Sequence, residues 1–175
     1  MLKSVRANYW LHRPPDGRAN LTASPQQADL FLIPLLDGKF CLGQVVDVIS
    51  DTDVLCALTD RIMEKDGPFE SVSLSEVKSL LAVETSAFAS GNWPIVGLET
   101  LPNINSIFNW RDAKVSGYQK IETQDAAVIE AFVNAKVGLY PWDGFGSADF
   151  FTRFLLDPTI TPSKASMTAD MEQAQ

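Results

Sequence analysis

Histidine and cysteine, which most often serve nucleophilic and metal chemistry, are scarce in this chain of 175 residues, and no common catalytic motif occurs. His12 is the single histidine, so a Ser/His or Cys/His pair would have to use it. The two cysteines, Cys41 and Cys56, have no second metal ligand beside them and lie in apolar runs, where free cysteine packs as a small hydrophobic residue. We therefore predict no metal and no cofactor, and the sequence assigns no catalytic residue.

Carboxylates are abundant but do not form a recognisable site. Asp47, Asp51 and Asp53 lie close together, yet the glycine and the terminal glutamate of a calcium loop are missing. We expect them to be solvated turn residues. The segment Asp143–Gly146 lacks the other protein-kinase motifs, and no phosphate-binding glycine loop or zinc-protease motif occurs. Nucleotide chemistry is therefore not indicated.

The segment from Phe132 to Phe145 is the most unusual part of the chain, because it gathers four aromatic residues, a proline and two glycines around one acid. Aromatic residues in loops often anchor a binding surface. The alternative is that they fill the ends of a small core, which we favour for Trp93 and leave open for Trp142. The candidate binding residues are Trp93, Trp110, Tyr140, Trp142, Asp143 and Phe145.

Composition indicates a single globular domain, with 46% hydrophobic and 21% charged residues. The formal charge of −8 would repel nucleic-acid phosphates and anionic lipids, so we predict neither nucleic-acid nor membrane binding. The same charge suits a basic protein partner, although it can equally serve solubility. The N-terminus lacks a continuous apolar stretch and no window resembles a membrane span, so we expect a cytoplasmic protein.

The first half of the domain shows the pattern of a β-meander. An apolar strand over residues 28–36 ends at Asp37-Gly38, a strong hairpin turn, and should pair with Lys39–Ile49. Val54–Thr59 is the expected third strand. Pro34 suggests a sheet edge or a bulge at that point, because proline cannot donate to a β-ladder.

The second half is predicted to be mixed. A helix is expected over Ser73–Leu81, with Ser73 as its cap and Glu76 three positions later. Pro94 in the extended segment Trp93–Gly97 favours an edge, and residues 99–118 are interpreted as loop. Thr123–Lys136 favours a helix over a strand, and a further helix should begin at Ser147 and end at Asp157.

The expected fold is therefore α+β, with an antiparallel curved sheet or partial β-barrel and a few packed helices. Residues 1–27 are predicted to be an irregular lead-in, residues 28–160 a single domain, and residues 161–175 a flexible tail.

Three segments, in this order, resemble the motifs of the immunity protein 26/phosphotriesterase HocA family. The first is Asp29–Phe40 followed by Gly43-Gln44-Val45, the second is Gly91–Gly97, and the third is Phe132–Asp143. The resemblance covers residues 28 to 157 approximately. It implies an immunity protein that binds and neutralises a cognate bacterial toxin.

The same family also carries a phosphotriesterase label, which implies hydrolysis of organophosphate triesters. We favour toxin binding, because clustered metal ligands for hydrolysis are not evident in the sequence and a protein antidote needs only a complementary surface. If the aromatic segment lies on the surface, alanine at Trp142 or Asp143 should weaken the association and leave the thermal midpoint nearly unchanged.

Overall fold

A computed structural model describes residues 24–173, which form an α+β fold around one open six-stranded sheet, as predicted. The strand order across the sheet is β5-β1-β2-β3-β4-β6. All neighbouring strands are antiparallel except β4 and β6, which are parallel. The strands are β1 (Asp29–Pro34), β2 (Phe40–Val48), β3 (Asp53–Met63), β4 (Val77–Glu84), β5 (Ile95–Leu98) and β6 (Thr123–Gln124).

The helices are short, apart from the one that packs against the middle of the sheet. Two single-turn 3-10 helices, Leu74–Glu76 and Ile104–Ser106, accompany them. The α-helices are α1 (Ser86–Ala89), α2 (Trp110–Val115), α3 (Ala126–Lys136), α4 (Asp149–Thr152) and α5 (Thr168–Gln173).

Both faces of the sheet are covered, which explains why its strands are nearly continuous apolar runs rather than alternating ones. Successive side chains of a strand point to opposite faces. In β1, Phe31 and Ile33 therefore pack into the core beneath α3, whereas Leu30 and Leu32 pack into a second core with Tyr118. The sheet thus separates two apolar layers, and α3 belongs to the first of them.

The predicted meander is confirmed. Leu30 to Pro34 pairs with Phe40 to Gln44 around the Asp37-Gly38 turn, where Gly38 adopts φ +85°. Strand β1 lies between β2 and β5, but the β5 ladder covers Asp29 to Phe31, so Pro34, the last residue of β1, pairs with β2 alone and occupies a local edge as expected. The edge predicted from Pro94 is confirmed, since β5 begins just after it.

The helix predicted over Ser73–Leu81 is wrong beyond its first turn. The Glu76 carboxylate does accept a hydrogen bond from the backbone N–H of Ser73 at 2.8 Å. From Val77 onward, however, the chain pairs with β3 as strand β4. The apolar residues that fit one helix face also fit a strand buried on both sides, and the sheet decides between them.

Other helix and strand boundaries also differ from the predicted ones. The loop expected at 99–118 contains α2, whose first turn is capped by Asn109. Helix α3 begins after Asp125, whose side chain accepts from Ala127 N at 2.7 Å, and the preceding Thr123–Gln124 is a short strand. The helix after Ser147 ends at Thr152 rather than at Asp157.

The C-terminal segment contacts the domain where the sequence predicted a flexible tail. Trp142 N donates to Ser166 O at 2.8 Å, and Thr168 N donates to Asp143 Oδ1 at 2.8 Å. Most of the predicted lead-in, together with His12, lies outside the described residues.

We expect the free energy of unfolding to be sensitive to a side chain at Gly43. A Cβ there would lie 2.4 Å from Phe31 Cζ, a buried ring that has no room to move. Gly43→Ala should therefore cost about 1–3 kcal/mol, the usual effect of overpacking. Gly97→Ala is the matched control, because the nearest atom to its Cβ would be a Leu30 methyl group at 3.3 Å, a much milder contact than the one at Gly43. Urea unfolding compares them, and equal losses would contradict the packing analysis.

Candidate functional site

Two of the predicted binding residues, Trp93 and Trp142, are core residues. The Trp93 ring stacks on Phe31 with centroids 5.7 Å apart and donates through Nε1 to Glu130 Oε1 at 2.8 Å. Trp142 packs against Phe151 at 5.5 Å and is 1% exposed. Neither ring presents a surface to a partner in this conformation.

The remaining predicted residues lie nearer to the surface but do not converge. Phe145 is 41% exposed and stacks on Phe150 at 4.6 Å, with Tyr140 beside it at 6.2 Å. The Asp143 carboxylate accepts hydrogen bonds from the side chain and the backbone N–H of Thr168. These bonds hold the pKa of that carboxyl below its usual range. Trp110 lies in α2 and packs against the other core. The six candidate residues therefore do not form one continuous surface, and a binding role for the exposed ones stays a prediction.

Asp47 is not the solvated residue that the sequence predicted. It is buried in β2, where its carboxylate accepts from Tyr118 Oη and lies 2.9 Å from Lys114 Nζ. Burial, together with the Asp47 contact, raises the pKa of Tyr118 far above its usual value. This cluster fixes α2 and the following turn to the sheet.

Five carboxylates gather at one end of the β3, β4 and β6 strands, which we call the acidic edge. Asp53 and Glu84 are directly opposite each other in the β3–β4 ladder. Residues 122 and 125 flank β6, whose Thr123 and Gln124 pair with the neighbouring end of β4. The acidic edge comprises Asp51, Asp53, Glu84, Glu122 and Asp125, and none of them forms an ion pair within residues 24–173.

A pocket of about 550 Å³ opens on the α3 side of the sheet, and we call it the Lys136 pocket. Its volume lies within the range of small-molecule sites. Strands β2, β3 and β4 form one wall, the end of α3 another, and the segment Leu155–Lys164 closes the remaining side. The apolar lining residues are Ile62, Val77, Val133, Val137, Leu155, Leu156, Ile160 and Pro162.

A large β-bulge shapes the floor of the Lys136 pocket. Cys41 pairs with Ile62 and Gly43 with Leu58, so residues 59–61 of β3 lie opposite the single residue Leu42. The Thr59 carbonyl accepts from Lys136 Nζ at 2.9 Å and from Cys41 Sγ at 3.4 Å. Bulges commonly redirect groups in this way beside functional sites.

Lys136 is the most unusual ionisable residue of the described chain. It is the last residue of α3 and is 8% exposed. Its ammonium lies 5.6 Å from the centre of the Phe132 ring, and no carboxylate lies within ion-pair distance in residues 24–173. Burial lowers the pKa of Lys136, because desolvation penalises the charged form.

Burial also raises the pKa of the neighbouring Cys41 thiol, so it is protonated at neutral pH. It therefore supplies no charge to balance the ammonium. The residue type does not predict the burial of Lys136, because a lysine that ends a helix normally faces solvent. The one local signal of this burial is the position of Lys136, four residues after Phe132 and two after Asn134, near the side of α3 that faces the core.

Comparison of the sequence and structure with protein-family models, curated proteins and solved structures finds no match. No helix within residues 24–173 is long and apolar enough to cross a bilayer. The same residues contain no group of three or more His, Cys, Asp or Glu side chains arranged to hold a metal ion.

The three segments that carry the family resemblance meet in one core. Phe31 of the first stacks on Trp93 of the second. Asn134 of the third accepts from Leu36 N at 2.8 Å and so holds the first hairpin against α3. These residues build the fold, and the membership they indicate stays a prediction.

Trp142→Ala should destabilise the protein rather than selectively weaken binding. Removing a buried indole leaves a cavity, which we expect to lower the free energy of unfolding by about 3–5 kcal/mol. Phe145→Ala, at a partly exposed ring, should cost much less. Chemical denaturation measures both changes, and a Trp142→Ala protein of native stability would restore the surface interpretation.

Lys136→Met should raise the stability of the protein at neutral pH. A buried ammonium without a counter-ion costs free energy, and methionine fills a similar volume, so we expect a gain of about 1–3 kcal/mol. Because the folded-state pKa is lowered, the unfolded chain binds more protons between the folded pKa and about 10.4. Wild-type stability should rise with pH across that window, and the advantage of the variant should shrink.

Lys164→Met serves as the control, because Lys164 is exposed and surface substitutions stay within about 0.5 kcal/mol. Denaturation curves at several pH values provide the measurement. A destabilised Lys136→Met protein would show that the lysine serves the fold.

Proposed function

We propose that this protein neutralises a cognate bacterial toxin by direct binding, and that the acidic edge contacts a basic surface of the toxin. The observation that carries the proposal is the cross-strand pair of Asp53 and Glu84 within a set of five carboxylates that have no basic partner at ion-pair distance among residues 24–173. Like charges directly opposite each other destabilise a sheet. A basic partner would relieve that repulsion.

Local hydrogen bonds hold two of these carboxylates, Asp53 and Asp125, in place. Asp53 Oδ2 accepts from Ser50 Oγ at 2.9 Å and from Thr52 Oγ1 at 2.8 Å. The hydrogen bonds from Thr52, Ser50 and Thr123 outweigh the opposing effect of burial and lower the pKa of Asp53. Asp125 caps α3, so its position is fixed by the helix.

Electrostatic complementarity mainly increases the association rate and the specificity of binding. The net charge of −8 would add long-range attraction toward a basic toxin. The order of the three family-like segments supports the same function. These two lines of support are independent, because none of the five residues of the acidic edge belongs to the three segments.

Charge reversal should distinguish the contribution of the acidic edge to toxin binding from that of other acidic residues on the surface. The variant carries Asp51→Lys, Glu84→Lys and Glu122→Lys, all at exposed positions. Its association rate with the toxin encoded beside its gene should fall by about tenfold or more at low salt. The control carries Glu64→Lys, Asp66→Lys and Glu70→Lys, which are exposed residues beyond the opposite end of β3.

Stopped-flow association at two salt concentrations and survival of toxin-producing cells provide the measurements. Equal loss in both variants would assign the effect to net charge, and failure of the wild-type protein to protect against any neighbouring toxin would refute the function. The phosphotriesterase activity stays a prediction of the resemblance. Hydrolysis of a chromogenic phosphotriester, with and without a chelator, measures it.

A further inference from the structure

We propose that the Lys136 pocket binds a small, mainly apolar molecule through a single carboxylate, which pairs with the Lys136 ammonium. This site is independent of the acidic edge. It lies near Thr59 and Lys78, whereas the acidic edge begins at Asp53 and Glu84, six residues away along each strand. At about 3.3 Å per residue the two regions are roughly 20 Å apart.

Within residues 24–173, the charges around the pocket leave Lys136 without a counter-ion at ion-pair distance. Asp60 lies 3.5 Å from Lys78 Nζ and is paired there. Asp157 accepts from the backbone N–H of Thr159 at 2.9 Å and from its hydroxyl, and these bonds lower the pKa of that carboxyl. Lys164 adds a third positive charge to the rim. The lining therefore carries three lysines against two carboxylates that already have partners.

The hydrogen-bond capacity of Lys136 points the same way. An ammonium has three donors, and the Thr59 carbonyl is the one acceptor found for it among the described residues. Buried charges in proteins are normally paired and hydrogen-bonded. A carboxylate would supply both the missing acceptors and the missing charge.

The pocket walls define the rest of the ligand. Side chains of valine, leucine, isoleucine and proline dominate the lining, so an apolar body would be buried against them. One buried ammonium matches one negative charge. A cation would meet Lys136, Lys78 and Lys164, and a neutral molecule would leave the ammonium unpaired. The chemical class that fits is therefore an apolar monocarboxylate.

Binding should be coupled to proton uptake. In the free protein, burial lowers the pKa of Lys136; Cys41, when its thiol ionises, and Asp60 oppose this shift, and Lys78 adds to it. A bound carboxylate favours the charged form and raises that pKa again. Affinity should therefore fall as the pH rises above the pKa of the free protein, and ligand binding near that pKa should take up protons.

Titration calorimetry with the full chain tests the proposal, using decanoate and naphthylacetate as probes and the matching neutral alcohols as comparisons. We expect a carboxylate to bind at least about tenfold more tightly than its alcohol. Buffers of different ionisation enthalpy should reveal the proton uptake. Lys136→Met should abolish both the preference and the uptake, whereas Lys120→Met, at an exposed lysine outside the pocket lining, should retain them.

Circular dichroism confirms that each variant is folded before titration. Failure of both carboxylates to bind, or a preference that survives Lys136→Met, would overturn the proposal. The charge-reversal variant of the acidic edge should bind the probes like the wild type, so a failure of toxin binding and a failure of ligand binding remain distinguishable.

Discussion

The docking of helix α3 on the sheet is the constraint from which the rest of the structure follows. Two polar anchors fix this helix: Asn134 receives the backbone N–H of Leu36, and Glu130 receives the indole N–H of Trp93. Asn134 Nδ2 also donates to Glu130 O at 2.9 Å. Because buried hydrogen bonds are directional, they set the rotation of the helix as well as its distance from the sheet. That rotation directs Phe132 into the aromatic core and Lys136 over the bulge in β3.

Much of the sheet could be predicted from local signals. The apolar run before Asp37-Gly38 and the run after it specify a hairpin without reference to the rest of the chain. Strand β4 could not be predicted, because a capping pattern at Ser73 and apolar residues that fit a helix face favoured the wrong element. Pairing with β3 decided that segment, and such pairing is a long-range property that a local window does not contain.

The candidate sites were harder still to predict. Trp142 stands among prolines and glycines, which suggested a surface loop, yet its backbone N–H bonds Ser166 O and its ring fills the core. Lys136 shows the opposite mismatch. Its residue type indicates exposure to solvent, whereas its position on the core-facing side of α3 indicates burial. The bulge that provides the Thr59 carbonyl arises from a register shift between two strands. Spacing in the sequence does not encode that shift.

Both outer strands of the sheet are very short. β5 has four residues and follows Pro94, and β6 has two. An outer strand offers unpaired amide and carbonyl groups to any passing chain, and brevity and proline are two ways in which natural proteins limit this. β5 and β6 thus offer few unpaired backbone groups to which another chain could add a strand. Strand β4 extends beyond its two pairs with β6, and there Leu156 N donates to Lys78 O at 2.8 Å, so the segment after α4 shields part of the side of β4 that no strand covers.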